Sequence, residues 1–432
     1  MKRLENARDP RSTRTKRPSG KIALGLLTVI ALAPNIGKAA DVEKVLHSVG
    51  PRGGRNPSGP LIEDANGVLY GTNQNGYDKN IEYSGSVYKL APPTAGQTEW
   101  VYTPIWLFKG KTGGTSPQTG VLFGPNGTLY GATNGGGQYQ GGVIFQLVPP
   151  VSGQTSWTEK ILANTKGDMF GGLLERQDGS LVGTTFINGL TLQGSVFLLK
   201  PPAQGKSAWT LSYIYHFQGG NDGGRPWASL IAGPNGVLYG TTSEGGPANA
   251  GTVFSLTPPA KGKTRWTETV LYAFQGSTSQ TSADGAAPEA SLTLGNEGVL
   301  YGTTKNGGTS GCGTVFSVTP PAGGTGAWSE AVLLAFNVTN GCYPVASLVV
   351  KPSGALVGVT SSSTNFAGVA FELTPPKDGG TGWTDETLYQ FNGGIDGGAV
   401  EGALLPSGKN YFGAANSRGY KGYGVVFKLA PP

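Results

Sequence analysis

Charge, histidine and cysteine are all scarce in this chain. Charged side chains make up 13% of its 432 residues, and there are two histidines and two cysteines. An ordinary soluble domain carries about a quarter charged residues. Two Cys and two His, scattered along the chain, exclude a zinc site built from those ligands. His47 and His216 both fall on predicted outer strands at ordinary repeat positions, which reads as strand side chains and not as catalytic bases. No G-x-S-x-G, no phosphate loop and no D-x-D-x-D-G calcium run is present. The stretch YGTTKNGGTSG at 301–311 is Gly-rich, but no helix follows for a phosphate to sit against. Glycine there is read as serving turns that need φ > 0. No helical period appears after the first 40 residues, and no metal or other cofactor is expected.

Long apolar runs are missing too, with one exception near the start. Residues 1–21 are basic, 22–33 form a 12-residue apolar run, and 34–40 end in small residues. That is the layout of a secretory signal peptide, with cleavage expected after Ala39 or Ala40. The run is too short to span a bilayer comfortably. Nine of the 32 basic and two of the 26 acidic residues lie in 1–40, so 23 basic and 24 acidic residues remain beyond it. The basic character therefore belongs to the leader and gives no support to a nucleic-acid partner. The expectation is residues 1–40 as signal peptide and 41–432 as one exported domain, extracellular or periplasmic, monomeric and free of the membrane after cleavage. Cys312 and Cys342 are the only pair an oxidising compartment could bridge.

Glycine and proline are abundant instead, at 103 of 432 residues. What separates this from a disordered composition is a period. Paired prolines end at Pro93, Pro150, Pro202, Pro259, Pro321, Pro376 and Pro432, with spacings of 57, 52, 57, 62, 55 and 56 residues. After each of the first six a tryptophan follows seven residues on: Trp100, Trp157, Trp209, Trp266, Trp328 and Trp383. A period near 50 with internal self-similarity means a repeat architecture.

The best-formed repeat reads as four strands: WASLIA at 227–232, VLYGTT at 237–242, TVFSLTP at 252–258 and WTETVLYAF at 266–274. GPNG at 233–236 reads as a type I turn with Pro234 and Asn235 at its centre. The double proline ends the third strand, because proline cannot donate to a ladder. Four antiparallel strands per repeat, seven times over, is the pattern of a seven-bladed β-propeller. The competing reading, a parallel β-solenoid, asks for shorter and more uniform rungs. The last repeat lacks a fourth strand, and DVEKVLHSV at 41–49 matches one. Residues 42–49 are therefore expected to pair with 425–429 and close the ring, removing an open edge.

The succession GVLYGTT, GTVFSLTPP, WTETVLYAFQG and DG-x-x-P-x-ASL over 41–432 resembles the GloVer tandem repeat of secreted bacterial proteins, the choice-of-anchor GloVer-containing family. The resemblance implies export and a surface or extracellular location, and brings no established activity. Members often end in an anchoring segment; none is seen here. Strand order within a blade is also similar to that of kelch propellers.

In a four-stranded blade, the loop from strand two to three lies on the same side as the link to the next blade. Both are variable here, while the opposite side carries the constant GPNG turn and the double-proline joint. The variable side is the expected binding face. Cys312 and Cys342 both fall on it, near enough for a disulfide to be expected. Aligning the repeats on ASL puts Ser58, Gln118, Phe170, Trp227, Glu289, Val345 and Glu401 at one position, the start of each innermost strand. They are expected to ring the channel mouth, as aromatic stacking and hydrogen-bonding groups suited to sugar or peptide. A neutral position filled at random is the competing reading. Asp222, Asp284 and Asp396 share a DG position that reads as a side-chain-to-backbone turn in preference to a calcium ligand.

Three functions follow. The first is an extracellular binding or interaction module for polysaccharide or protein. The second is a polysaccharide lyase or glycoside hydrolase using Glu289 and Glu401. The third is a structural envelope component.

Overall fold

In the computed structural model each period becomes one antiparallel sheet, and seven sheets follow one another around a ring. The structure describes residues 42–50, 53–78, 81–188, 192–276, 284–362, 367–377, 380 and 382–431. The expected signal peptide lies outside these residues. Blades are numbered here in chain order. Blade 4 runs outward from Ile231–Ala232 through Leu238–Thr242 and Thr252–Thr257 to Thr267–Ala273. The others repeat this order. Blade 7 is completed from the other end of the chain: Glu43–Ser48 pairs antiparallel with Val425–Leu429, Glu43 opposite Leu429 and Ser48 opposite Val425. This is the closure the sequence predicts, and Ala430 N adds a bond of 2.7 Å to Val42 O.

The third strand of each blade is buried on both faces. Its central ring, Tyr88 in blade 1 and Phe145, Phe197, Phe254, Phe316, Phe371 and Phe427 in the rest, is fully buried. The ring lies over the glycine of the neighbouring second strand. A Cβ on Gly240 would sit 2.6 Å from the Phe254 ring, so LYGTT tolerates nothing larger there. Between blades, a phenylalanine that ends one fourth strand meets the next blade's central ring edge-on. Phe217 stands 5.1 Å from Phe254 and Phe274 5.0 Å from Phe316. Such pairs add roughly 0.5–1.5 kcal/mol beyond the area they bury.

The tryptophan after the double proline also reaches across a blade boundary. Trp209 packs on Tyr130, Trp328 on Tyr239 and Trp383 on Tyr301, each on the second strand of the preceding blade. Tyrosine is replaced by Val182 in blade 3, Val357 in blade 6 and Phe412 in blade 7; Trp100 then packs on Phe412, and Trp266 takes the Arg176 guanidinium 5.5 Å from its ring. The constant seven-residue step is thus the reach of a hairpin that latches neighbouring blades.

Two expectations are corrected. The first is the GPNG turn. Its bond runs from Val237 N to Pro234 O, and Asn235 (φ 56°) and Gly236 (φ 76°) are both left-handed. That is a type I′ turn on Asn-Gly, whose twist suits a two-residue hairpin, and not a type I turn on Pro-Asn. The second is the innermost strand, which in blade 4 is only Ile231–Ala232. Residues 227–230 leave the ladder because the ring claims their polar groups. Ser229 N donates to Ser291 Oγ at 3.0 Å, Gly172 N to Ser229 Oγ at 2.6 Å, and Thr184 Oγ1 to Ala228 O at 3.0 Å. Each bond joins adjacent blades, so in blade 4 the start of the innermost segment pairs around the axis instead of within its own sheet, whereas blade 1 keeps Ser58 in the ladder opposite Thr72.

Candidate site at the channel mouth

That inward pull builds the site. The residue that begins each innermost segment is directed to the axis. Ser58, Gln118, Phe170, Trp227, Glu289, Val345 and Glu401 all line one cavity of about 270 Å³ on the variable face. The tier beneath them is small because backbones meet there. A Cβ on Gly402 would lie 2.4 Å from Gly59 O, and one on Gly171 would lie 2.5 Å from Ala228 O.

A second tier escapes the repeat alignment on ASL. It is the residue just after the second strand's closing pair, Thr-Thr in blades 3, 4 and 5: Phe186, Lys305, Ser361 and Asn416 among others. Within one blade it touches the first-tier residue. Phe186 stands edge-on to Phe170 at 5.2 Å and to Trp227 at 5.1 Å. Lys305 Nζ donates to both Glu289 oxygens, at 3.2 and 3.1 Å. Asn416 Nδ2 donates to Glu401 Oε2 at 3.1 Å.

The cavity has two chemically distinct sides. Phe170 and Trp227 stack at 4.0 Å with an interplanar angle of 11°, and Phe186 closes their edges. Arg225 sits 5.6 Å over Phe186 and is itself paired with Glu244 at 2.7 Å. Blades 3 and 4 supply this aromatic side. Blades 5 and 7 supply Glu289, Lys305 and Glu401, two carboxylates and one ammonium. Burial pushes the Glu289 carboxyl up, and the Lys305 ion pair pulls against it. Glu401 is exposed at the rim of the cup. Desolvation again raises it, Lys305 and the Asn416 bond lower it, and the nearby Glu289 charge raises it. Ser58 is 7% exposed, and its buried Oγ has no hydrogen-bond partner among the described residues.

The remaining candidates lie elsewhere. Cys312 and Cys342 are bonded on the variable face with Cα atoms 4.4 Å apart. Asp222, Asp284 and Asp396 accept turn N–H groups, from Gln218 at 2.6 Å, Gln275 at 2.9 Å and Asn392 at 2.7 Å. Each also accepts a fourth-strand tyrosine hydroxyl, from Tyr215, Tyr272 and Tyr389 respectively. The turn and the blade edge thus take these carboxylates, except for Asp284 Oδ1, which is buried with no hydrogen-bond partner among the described residues. His47 stacks on Tyr102 at 4.4 Å, and burial with the Lys421 charge pushes it down to about 4. His216 shares a 2.7 Å bond with Ser195 Oγ. Among the described residues no group of three or more His, Cys, Asp and Glu side chains could hold a metal ion.

Solved structures with a similar arrangement are numerous. A provisionally assigned 6-phosphogluconolactonase from Bacteroides uniformis is 17% identical, covering 80% of this chain and 86% of that one, with a TM-score of 0.48. The extracellular domain of a provisionally assigned one component system from B. thetaiotaomicron is 12% identical, covering 89% of this chain and 40% of that one, with a TM-score of 0.49. Sqt1 from Chaetomium thermophilum is 12% identical, covering 87% and 88%, with a TM-score of 0.44. Likeness at this level carries nothing about chemistry. No curated protein matches the sequence. The profile of the Gloeobacter/Verrucomicrobia repeat matches residues 28–213 and 169–384, most of the chain, and the protein belongs to that family.

Proposed function

We propose that this propeller is an exported binding module whose ligand seats in the cup at the channel mouth, the ligand being the end of an extracellular polysaccharide. One observation carries the reading. Seven separate segments of a nearly constant frame each deliver their one variable side chain to the same cavity. Random drift would leave seven mixed surface positions. Here an aromatic stack faces a set of hydrogen-bonding and charged groups, the combination that grips a sugar ring by face and by edge. At about 270 Å³ the cup is at the small end of ligand pockets and suits one ring with its substituents.

The hydrolase or lyase reading is weaker on one point. Lys305 holds both oxygens of Glu289, which leaves that carboxyl poorly placed to give or take a proton. The test is a carbohydrate array probed with residues 41–432 and with a Trp227→Ala control. Binding that the control loses supports the module, and a blank array overturns it. Turnover of any bound glycan that Glu289→Gln and Glu401→Gln abolish would instead establish the enzyme. Export is checked by locating the protein in cell fractions and sequencing its amino terminus.

A further inference from the structure

The cup's charge count selects among ligands. Among the described residues three ionisable side chains face it: Glu289, Lys305 and Glu401. Lys305 spends its contacts on both Glu289 oxygens and reaches Glu401 only as a more distant charge. The other cation nearby, Arg225, is committed to Glu244. The cup therefore holds one carboxylate in excess. Among the described residues the hydrogen bond to Glu401 comes from Asn416, a neutral donor, on Oε2. An anion entering here would meet Glu401 first and would have to displace Glu289 to reach Lys305. A cation meets an acceptor that has no ion-pair partner of its own among the described residues.

Ring position adds the second half of the argument. In a closed ring of seven, blade 7 lies opposite the boundary of blades 3 and 4. Glu401 thus faces the Phe170–Trp227 stack across the cup. Aromatic faces are themselves electron-rich and favour a neighbouring positive charge. Between Glu401 and the stack, on blades 1 and 2, lie Ser58 with its unpaired buried hydroxyl and Gln118, both suited to ring hydroxyls.

We propose that the occupant is a ring with an apolar face that carries a protonated amine, the ring resting against Trp227 and Phe170 and the ammonium pairing with Glu401. Two sources share this chemistry, a free-amine amino sugar and an arylalkylamine. This rests on the reading of the cup as the binding site, and the test keeps the two separable.

Calorimetric titration at pH 6 would compare four probes: a glucosamine oligosaccharide, its N-acetylated form, the corresponding neutral glucose oligosaccharide, and phenethylamine. The expected result is at least tenfold tighter binding of the free-amine sugar than of its N-acetylated form. Glu401→Gln removes that preference, and added salt weakens the free-amine sugar more than the neutral one. Phenethylamine binding more tightly than glucosamine would assign the source as an aromatic amine and uphold the charge assignment. Equal or tighter binding of the N-acetylated or neutral sugar overturns the cationic ligand and leaves the cup a sugar site. No heat from any probe overturns the reading of the cup itself. Melting of the Glu401→Gln protein at the parent temperature confirms that it is folded, and Asn416→Asp, which adds a third carboxylate to the cup, should strengthen free-amine binding.

Discussion

The boundary between blades 4 and 5 and that between blades 2 and 3 solve the same problem with different residues. At the first, Phe274 is fully buried edge-on to Phe316, and Trp328 latches onto Tyr239. Below them Tyr272 donates to Asp284 at 2.7 Å, and Glu330 packs alongside. At the second, Thr165 stands in place of the phenylalanine and donates to Gly141 O at 2.7 Å. Leu211 stands where Glu330 does, and Ala163 where Tyr272 does. Met169, fully buried, fills the space with Leu162. The tryptophan latch, Trp209 on Tyr130, is kept. The latch on the constant face is thus required at both boundaries, while the rim on the variable face can be aromatic and acidic or small and aliphatic. The plainer boundary lies beside Phe170 and Phe186, where the cup places its aromatic side.

Breaking the contrast should show first at the phenylalanine. Phe274→Ala is expected to cost about 3–5 kcal/mol, and Thr165→Ala about 1–2 kcal/mol for one lost buried hydrogen bond. Urea melts check both, and equal losses would remove the distinction. The disulfide comes next. It closes a segment of 30 residues between blade 5 and the link to blade 6, worth about 3.6 kcal/mol in the chain-entropy account. Reduction should lower the unfolding free energy extrapolated from urea melts by that amount. No change on reduction would mean that the two loops are held by their backbone bonds alone.

A smaller effect follows from acid. Burial first, then the Asp284 charge, pushes the Glu330 carboxyl up to about 7, with the Tyr272 bond pulling the other way. Glu268 beside Asp222 and Glu43 beside Asp396 are likewise pushed up to about 7, again mainly by burial. A folded value raised above the ordinary one means stabilisation that is complete below pH 4.5 and is lost as pH rises through 7. Because these groups keep contact with solvent, each is expected to contribute only about 1 kcal/mol. The melting temperature should therefore fall between pH 5 and pH 8, and Glu330→Gln should flatten part of that slope. Leu211→Glu, installed at the plain boundary, should steepen it.

The smallest effect reverses the ranking. At the constant-face turn, blade 2 has Asn126 in the left-handed conformation and blade 5 has Glu297 there, at φ 55°. Asparagine tolerates that region and glutamate does not. Glu297→Asn should stabilise by about 0.5–1 kcal/mol, and Asn126→Glu should destabilise by a similar amount.

Most of this fold is written locally. The glycine of LYGTT, the central phenylalanine and the double-proline joint each recur, and each has a single steric reason. The first tier of the cup was legible for the same reason, since variable residues stand out between constant ones. The second tier was not, because Lys305 and Phe186 matter only through partners in space, Glu289 and the aromatic stack. The short innermost strands were also hidden. WASLIA reads as a six-residue strand, and only the neighbouring blades' claims on Ala228 and Ser229 take most of it out of the ladder.

The pairing of Glu43–Ser48 with Val425–Leu429 has a consequence for engineering. Once the two ends of the described chain lie side by side in one sheet, no blade is structurally first. A short linker joining 430 to 42, with new ends opened in the exposed hairpin at 260–263, should give a circular permutant with the same ring and the same cup.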